Sequence, residues 1–247
     1  MSTAWLKAFE VPDMPMWQPI AACVVYVTVN YLLSGRTREQ TPSWIKGMAL
    51  SHNAIMTVFS AWVCYETFAF VLPRAWEWDF IYSPTCNTLM VDDGSSPLPA
   101  LSYFFYLSKI YEFLDTWIVL LKGRKPIFLQ VFHHIGAVLI MWALTQFRTE
   151  ATWLFLSLNS FIHTLMYARY ALTVVGIHPP FKSLLTTMQL VQFVVGMGLS
   201  APYFFIECLT GPAFWALACN NTYVTILVFL FADFFKKNYL AKKPKKE

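Results

Sequence analysis

Apolar residues run in long blocks along the chain, separated by short stretches that collect its prolines, glycines and charges. Seven blocks reach about the ~20 residues that a helix needs to cross a hydrocarbon core. They are roughly 17–34, 48–72, 98–121, 127–146, 152–171, 184–206 and 214–235. The connections 35–47, 73–97, 122–126, 147–151, 172–183 and 207–213 hold the turn-forming and charged residues. There is no internal repeat and no low-complexity segment. The pattern predicts one all-α integral membrane domain over residues 1–247, with seven transmembrane helices.

The basic residues give the spans a direction. Arg36, Arg38 and Lys46 follow the first span, and Lys122, Arg124 and Lys125 the third. Arg169 and Lys182 stand at the end of the fifth and beyond it, and six lysines between Lys236 and Lys246 follow the seventh. These are 14 of the 18 basic residues, all on one side. Lys7, Arg74 and Arg148 fall on the other, and Lys109 lies inside span three. The excess of Lys and Arg on cytosolic loops makes the 14-residue side cytosolic. The N-terminus is then lumenal or outside and the C-terminus cytosolic, which requires an odd number of spans.

Polar residues inside the apolar blocks are costly unless satisfied, so they are candidates for function. Span three carries Lys109, Glu112, Asp115 and Thr116 within an arc of about 120° on one helix face. Span four opens with Gln130, His133 and His134 in the string LQVFHH. Span five carries Asn159, His163, Tyr167 and Tyr170, close to an i, i+4, i+8 stripe. Span six carries Gln189 and Gln192. Asp115, His133 and Gln189 each lie about five or six residues from the cytosolic end of their span and His163 about eight, roughly 8–12 Å deep at the helical rise. Four helices therefore present polar groups at one level, while their lumenal halves are mostly Leu, Phe, Val, Tyr and Met. A polar chamber open to the cytosol, with an apolar extension behind it, is the expectation. Such residues also serve as helix-to-helix glue, and an ion pair of Lys109 with Glu112 or Asp115 explains that trio as well as catalysis does. His52 and Asn53 in span two carry less information, and His178 in a loop before Pro179 and Pro180 reads as solvated.

Composition narrows the class. The apolar set makes up 57% of the chain and charged residues 13%, about half the ~25% charge of an ordinary soluble domain. So few charges cannot cover a water-facing surface, which argues against a soluble enzyme, a disordered chain or a coiled coil. No basic stripe on a solvated fold is present, so nucleic acid is not an expected partner. The first 16 residues lack a basic stretch followed by a short apolar core, so no cleavable signal peptide is read there. The five cysteines show no metal-ligand spacing, and none lies in the polar layer. Cys86 and Cys208 both fall on the lumenal side, where disulfides are permitted, and are expected to pair. The sequon Asn220-Asn221-Thr222 starts inside span seven and is expected to be unused.

No phosphate loop or nucleophile elbow is present. A histidine pair at this depth suits two chemistries. Metal chemistry of the membrane di-iron oxidase type needs more histidines than the five here, and no metal is expected. Acyl transfer suits the set better: a neutral imidazole attacks a thioester and holds the acyl group, and a second His or an amide stabilises an enolate oxygen. A non-catalytic seven-helix lipid receptor or transporter is the other alternative, although the broken Gly/Pro helices of many transporters are missing.

Four strings carry a resemblance. KIYEFLDT (109–116), LQVFHH (129–134), NSFIHTLMYARY (159–170) and TTMQLVQF (186–193) resemble the ordered signature motifs of the fatty acid elongases. The resemblance implies an endoplasmic reticulum 3-ketoacyl-CoA synthase that condenses a long-chain acyl-CoA with malonyl-CoA, releasing CO2 and CoA. It also implies six helices in a barrel around an acyl tunnel, with one more outside. On the matching positions, His133 is the acyl-accepting nucleophile and His163 assists as acid/base or enolate stabiliser, while His134 and Asn159 orient them. Lys109, Glu112 and Asp115 form a charged wall, and Gln130, Tyr167, Gln189 and Gln192 line the site. Lys122, Arg124, Lys125 and Lys182 meet the CoA phosphates, or are simply solvated loop charges. No cofactor is expected beyond the two CoA thioesters as substrates.

Two positions depart from the family pattern. Gln130 replaces the first His of the commoner HxxHH motif, and this QxxHH form is similar to elongases that extend polyunsaturated chains. Arg169 replaces the first Tyr of the closing YY pair, where it either holds a CoA phosphate or snorkels to the rim. The terminal KPKKE fits a dilysine retrieval signal. Expected partners are membrane lipid, the CoA thioesters, the reductase and dehydratase of an elongation cycle, and a second copy of the chain as a homodimer.

Overall fold

The computed structural model describes residues 4–37 and 39–240. Arg38, the tail lysines Lys242, Lys243, Lys245 and Lys246, and the KPKKE signal lie outside the described residues. Among the described residues every regular element is helical. They are α1 (Ala4–Lys7), α2 (Trp17–Leu33), α3 (Ser43–Val71), α4 (Trp78–Ile81), α5 (Leu98–Tyr111), α6 (Phe113–Leu121), α7 (Phe128–Gln146), α8 (Thr152–Leu154), α9 (Ser160–Val174), α10 (Lys182–Ser200) and α11 (Gly211–Phe235). Prolines stand at the starts, where a missing N–H costs nothing: Pro42 before α3, Pro97 before α5 and Pro212 in the first turn of α11. Glycines end α6 and α9. Gly123 at φ 74° and Gly176 at φ 90° adopt the left-handed turn that lets two amides reach back to the last carbonyls. Arg124 N–H reaches Val119 O at 3.1 Å, and Ile177 N–H reaches Leu172 O at 2.9 Å.

The chain is a multi-pass membrane protein. Four helical stretches are long and apolar enough to cross a bilayer: Ser43–Arg74, Phe128–Gln146, Lys182–Phe205 and Gly211–Leu240. The other three predicted blocks are helical too, with local differences. α2 has 17 residues. The block at 98–121 is offset at Glu112, where Asp115 N–H bonds Glu112 O at 3.0 Å, a tightened turn. The block at 152–171 passes through a π-helical stretch, Phe155–Asn159. Span two begins five residues earlier than expected, at Ser43, and span six leaves the α-helix at Ser200 for a 3-10 turn, Ala201–Phe205.

Packing follows a consistent order. α3 packs on α9, α9 on α10, α10 on α11, α11 on α7, α7 on α5, and α5 with α6 returns to α3. α2 lies against α6 and α7 and turns Trp17, Val24, Val25 and Leu32 outward, as lipid contact requires. The end of the bundle away from the basic loops is tied together. Cys86 and Cys208 form the expected disulfide. Glu150, buried, accepts the Leu89 and Met90 N–H groups at 2.9 and 3.3 Å. The segment before α2 is held by Trp142 Nε1–H to Met14 O at 2.7 Å and Met14 N–H to Gln146 Oε1 at 3.1 Å. A second, smaller apolar cluster of Ala151, Leu154, Tyr203, Leu209 and Leu217 packs on Cys86 there.

Candidate active site

The π-helical stretch sets the first element of the site. Its wider turn leaves carbonyls out of α-helical register, and serine hydroxyls supply the missing donors. Ser157 Oγ–H bonds Trp153 O at 2.8 Å, and Ser160 Oγ–H bonds Leu156 O and, at 3.2 Å, Ser157 O. At the end of this stretch Asn159 meets α5: Lys109 Nζ donates to Asn159 Oδ1 at 2.9 Å and to Glu112 Oε1 at 2.7 Å. Lys109 and Glu112 are each 1% exposed. A pair so completely desolvated stands only because each charge has the other and Lys109 has an amide as well. His163, one turn after Asn159, brings Nδ1 within 3.3 Å of Glu112 Oε1. The angle is poor for a hydrogen bond, and Nδ1 is otherwise without a partner.

His133 and His134 enter from α7. The His133 ring centroid is 6.3 Å from that of His163 and 5.5 Å from that of His134. His134 is buried beside Tyr26 and Phe113. The backbone of His133 is held from α11, where Tyr223 Oη–H donates to His133 O at 2.9 Å. Gly136, one turn on, makes this approach possible: a Cβ there would lie 2.1 Å from the Tyr223 ring. Thr116 receives Gln130 Nε2–H at 3.1 Å and lies 2.8 Å from the Tyr26 hydroxyl, so Gln130 is anchored to span three.

Asp115 is not part of the Lys109 pair. It is bound by His52 Nε2 at 3.0 Å on one oxygen and by Tyr167 Oη–H at 2.6 Å on the other. His52 was the least informative of the intramembrane histidines in sequence, yet it stands against the site. Its signal in the sequence is only that it is a histidine inside an apolar block, since α3 begins at Ser43, nine residues before it.

Two cavities meet here. The larger, about 410 Å3, is walled by Glu112, Asp115, Gln130, His133, His134, His163, Tyr167 and Gln189, and reaches Lys122, Arg169 and Lys182 toward the basic loops. The narrower, about 50 Å3, runs the other way between Asn159, Gln192, Phe193, Tyr223 and Leu227 and ends at Leu144, Ala151, Leu154, Ser200 and Leu217. His133 lines both. Of the residues expected at the site, Lys109 stands behind Glu112 rather than on the cavity wall. Arg124 and Lys125 are exposed on the turn after α6 and line neither cavity. Arg169 Nε is buried without a hydrogen-bond partner. Lys122, just past the end of α6, is held below the usual lysine range by burial and then by the Arg124 charge. His178 is exposed, as expected. Among the described residues no cluster of three or more His, Cys, Asp or Glu could hold a metal ion.

Residues 12–247 match the model of the GNS1/SUR4 family, ELO. The chain belongs to this family. Among its relatives, fatty acid elongase A of Dictyostelium discoideum is 32% identical over 236 residues, covering 91% of this chain and 83% of that protein. Very long chain fatty acid elongase 2 of Mus musculus is 32% identical over 233 residues, covering 90% of this chain and 77% of its own length. The putative fatty acid elongase 2 of Schizosaccharomyces pombe is 26% identical over 242 residues, covering 90% of this chain and 65% of that protein. Membership in the ELO family agrees with the four strings that carry the polar layer, and it ties this chamber to proteins named for fatty acid elongation.

Proposed function

We propose that this chain is the condensing enzyme of fatty acid elongation, a 3-ketoacyl-CoA synthase that joins a long-chain acyl-CoA to malonyl-CoA. The observation that carries the reading is the place of His133, on the common wall of a polar chamber and a narrow, mostly apolar cavity, with His163 one ring-to-ring step away at 6.3 Å. An acyl thioester laid across that boundary puts its tail in the apolar part, its carbonyl at His133 and its CoA in the chamber.

The chemistry proceeds in two steps. His133 attacks the thioester carbonyl, the C–S bond breaks, and CoA leaves to take up a proton while the acyl group stays on the imidazole. Malonyl-CoA then loses CO2, and the electron pair of the broken C–C bond forms an enolate. His163, with Asn159 beside it, faces that oxygen. The enolate carbon attacks the acyl group, the C–N bond breaks, and His133 is restored. The sum consumes one proton and releases CO2, CoA and 3-ketoacyl-CoA. Lys109 and Glu112 hold Asn159 and His163 in place. Lys122, Arg169 and Lys182 offer positive charge to the CoA phosphates at the chamber mouth. No bound cofactor or metal takes part.

The same reading gives the molecule seven transmembrane helices, six forming a barrel around the acyl tunnel and α2 outside it. The order of helix neighbours supports this. The chain sits in the endoplasmic reticulum membrane with the N-terminus lumenal and the chamber mouth cytosolic, in keeping with its basic loops. Gln130 in place of His favours polyunsaturated acyl-CoA. The test is incorporation of radiolabelled malonyl-CoA by purified protein across acyl-CoAs of graded length and unsaturation, with His133→Ala and His163→Ala alongside. Loss of condensation in both variants is expected. Full activity in either removes that residue's role, and equal rates with saturated and polyunsaturated chains remove the substrate preference.

A further inference from the structure

We infer that His52 is a positioning residue for this reaction: it fixes the Asp115 carboxylate, and through it holds Tyr167 against His163. The inference rests on the condensation reading and adds to it a residue outside the four signature strings.

Three helices converge on one carboxylate. Asp115 projects from α6, His52 from α3 and Tyr167 from α9. Asp115 takes His52 Nε2 on Oδ1 at 3.0 Å and Tyr167 Oη–H on Oδ2 at 2.6 Å. Among the described residues no Lys or Arg lies within ion-pair distance of it, so an imidazole and a phenol do the work that a cation does for Glu112. With both oxygens engaged, the carboxylate cannot turn about its terminal torsion, which is otherwise broad. Tyr167 is fully buried, and its ring stands edge-on to both imidazoles, with centroids 5.7 Å from His52 and 5.5 Å from His163. Tyr167 is therefore the side chain between His52 and the reaction centre, and its hydroxyl direction depends on Asp115.

His52 has one polar commitment. It is 2% exposed, its Nδ1 is buried with no partner, and its ring otherwise rests on Tyr111 at 5.1 Å. A histidine kept only for packing would be replaced at no cost by an apolar residue of its size; one kept for Nε2 would not. Asp115 is 18% exposed on the chamber wall, and losing a hydrogen bond to a carboxylate whose direction the site needs is expected to slow the reaction by about tenfold.

The experiment uses the full-length purified chain, acyl-CoA and labelled malonyl-CoA, with kcat and both KM values for wild type, His52→Leu, His52→Gln, His52→Asn, Tyr167→Phe and His52→Leu/Tyr167→Phe. The Gln amide nitrogen reaches the place of Nε2; the shorter Asn amide does not. His52→Leu is expected to lose about tenfold or more in kcat while both KM values stay within about threefold. His52→Gln is expected to regain most of that rate and His52→Asn little. The double variant is expected to be no slower than Tyr167→Phe alone, because His52 acts through it. Wild-type kcat in His52→Leu, equal rates for His52→Gln and His52→Asn, or losses that multiply in the double variant would each overturn the inference. Should His52→Leu not fold by gel filtration, the Gln and Asn contrast decides. A wild-type chain that releases no CO2 from malonyl-CoA overturns the condensation reading itself, and the inference with it.

Discussion

Lys109 shows how little freedom a charge has at this depth. It is 1% exposed and bonded to Glu112 and Asn159, so removing one partner strands the other. Lys109→Met alone is expected to destabilise the protein by ~3–5 kcal/mol, and Lys109→Met with Glu112→Gln by clearly less. Thermal unfolding in detergent of the two variants checks this, and equal losses would contradict it. The residues that sequence reasoning found, His133, His163, Asn159 and Glu112, were legible because charges and imidazoles inside apolar blocks are expensive and recur at helical spacing. The bond between His52 and Asp115 was not, since it joins residues 63 apart in the chain and a lone histidine on an apolar helix does not name its partner. The same holds for Tyr223, whose approach to His133 depends on Gly136, far away in the chain.

At the scale of elements, the seven helical blocks were readable from apolar run length, while their interruptions were not. The offset at Glu112 and the π-helical stretch at Phe155–Asn159 fall within strings that look like uninterrupted helix, and serine hydroxyls take up carbonyls of the π-helical stretch. α7 and α11 approach closely at Gly136. Gly136→Ala would drive a Cβ into the Tyr223 ring, and overpacking of this kind costs about 1–3 kcal/mol. Gly136→Ala is expected to lower the thermal midpoint and the condensation rate together, since the His133 carbonyl loses its donor when Tyr223 is displaced. Adding Tyr223→Leu should restore the midpoint but not the rate. Restoration of both would mean that the Tyr223 hydroxyl has no part in holding His133.

The whole molecule is fastened most firmly at the end away from the basic loops. Cys86 and Cys208 close a loop of 122 residues, for which the chain-entropy argument allows up to about 4–5 kcal/mol. Cys86→Ala is expected to lower the thermal midpoint without changing which residues line the chamber, and a midpoint equal to wild type under oxidising conditions would count against it. Glu150, in the loop beside that tie, has its carboxyl raised above the ordinary value of 4.5 by burial, which outweighs the bonds from the Leu89, Met90 and Thr88 backbone. Its contribution to stability is complete below 4.5 and is lost as pH rises through the raised value, because there the folded state keeps a proton that the unfolded chain has released. Thermal midpoints should therefore fall across that window in the wild type and stay flat in Glu150→Gln. A midpoint that rises with pH over the same window would reverse the assignment.

The narrow cavity ends at Ala151, Leu154 and Leu217, and these same three side chains belong to the small apolar cluster packed on Cys86. A flexible guest threaded past His133 thus meets a stopper bolted to the rest of the protein by a covalent link. On the proposed function, the reach of an acyl tail beyond His133 is set by side chains that the Cys86–Cys208 link holds in place.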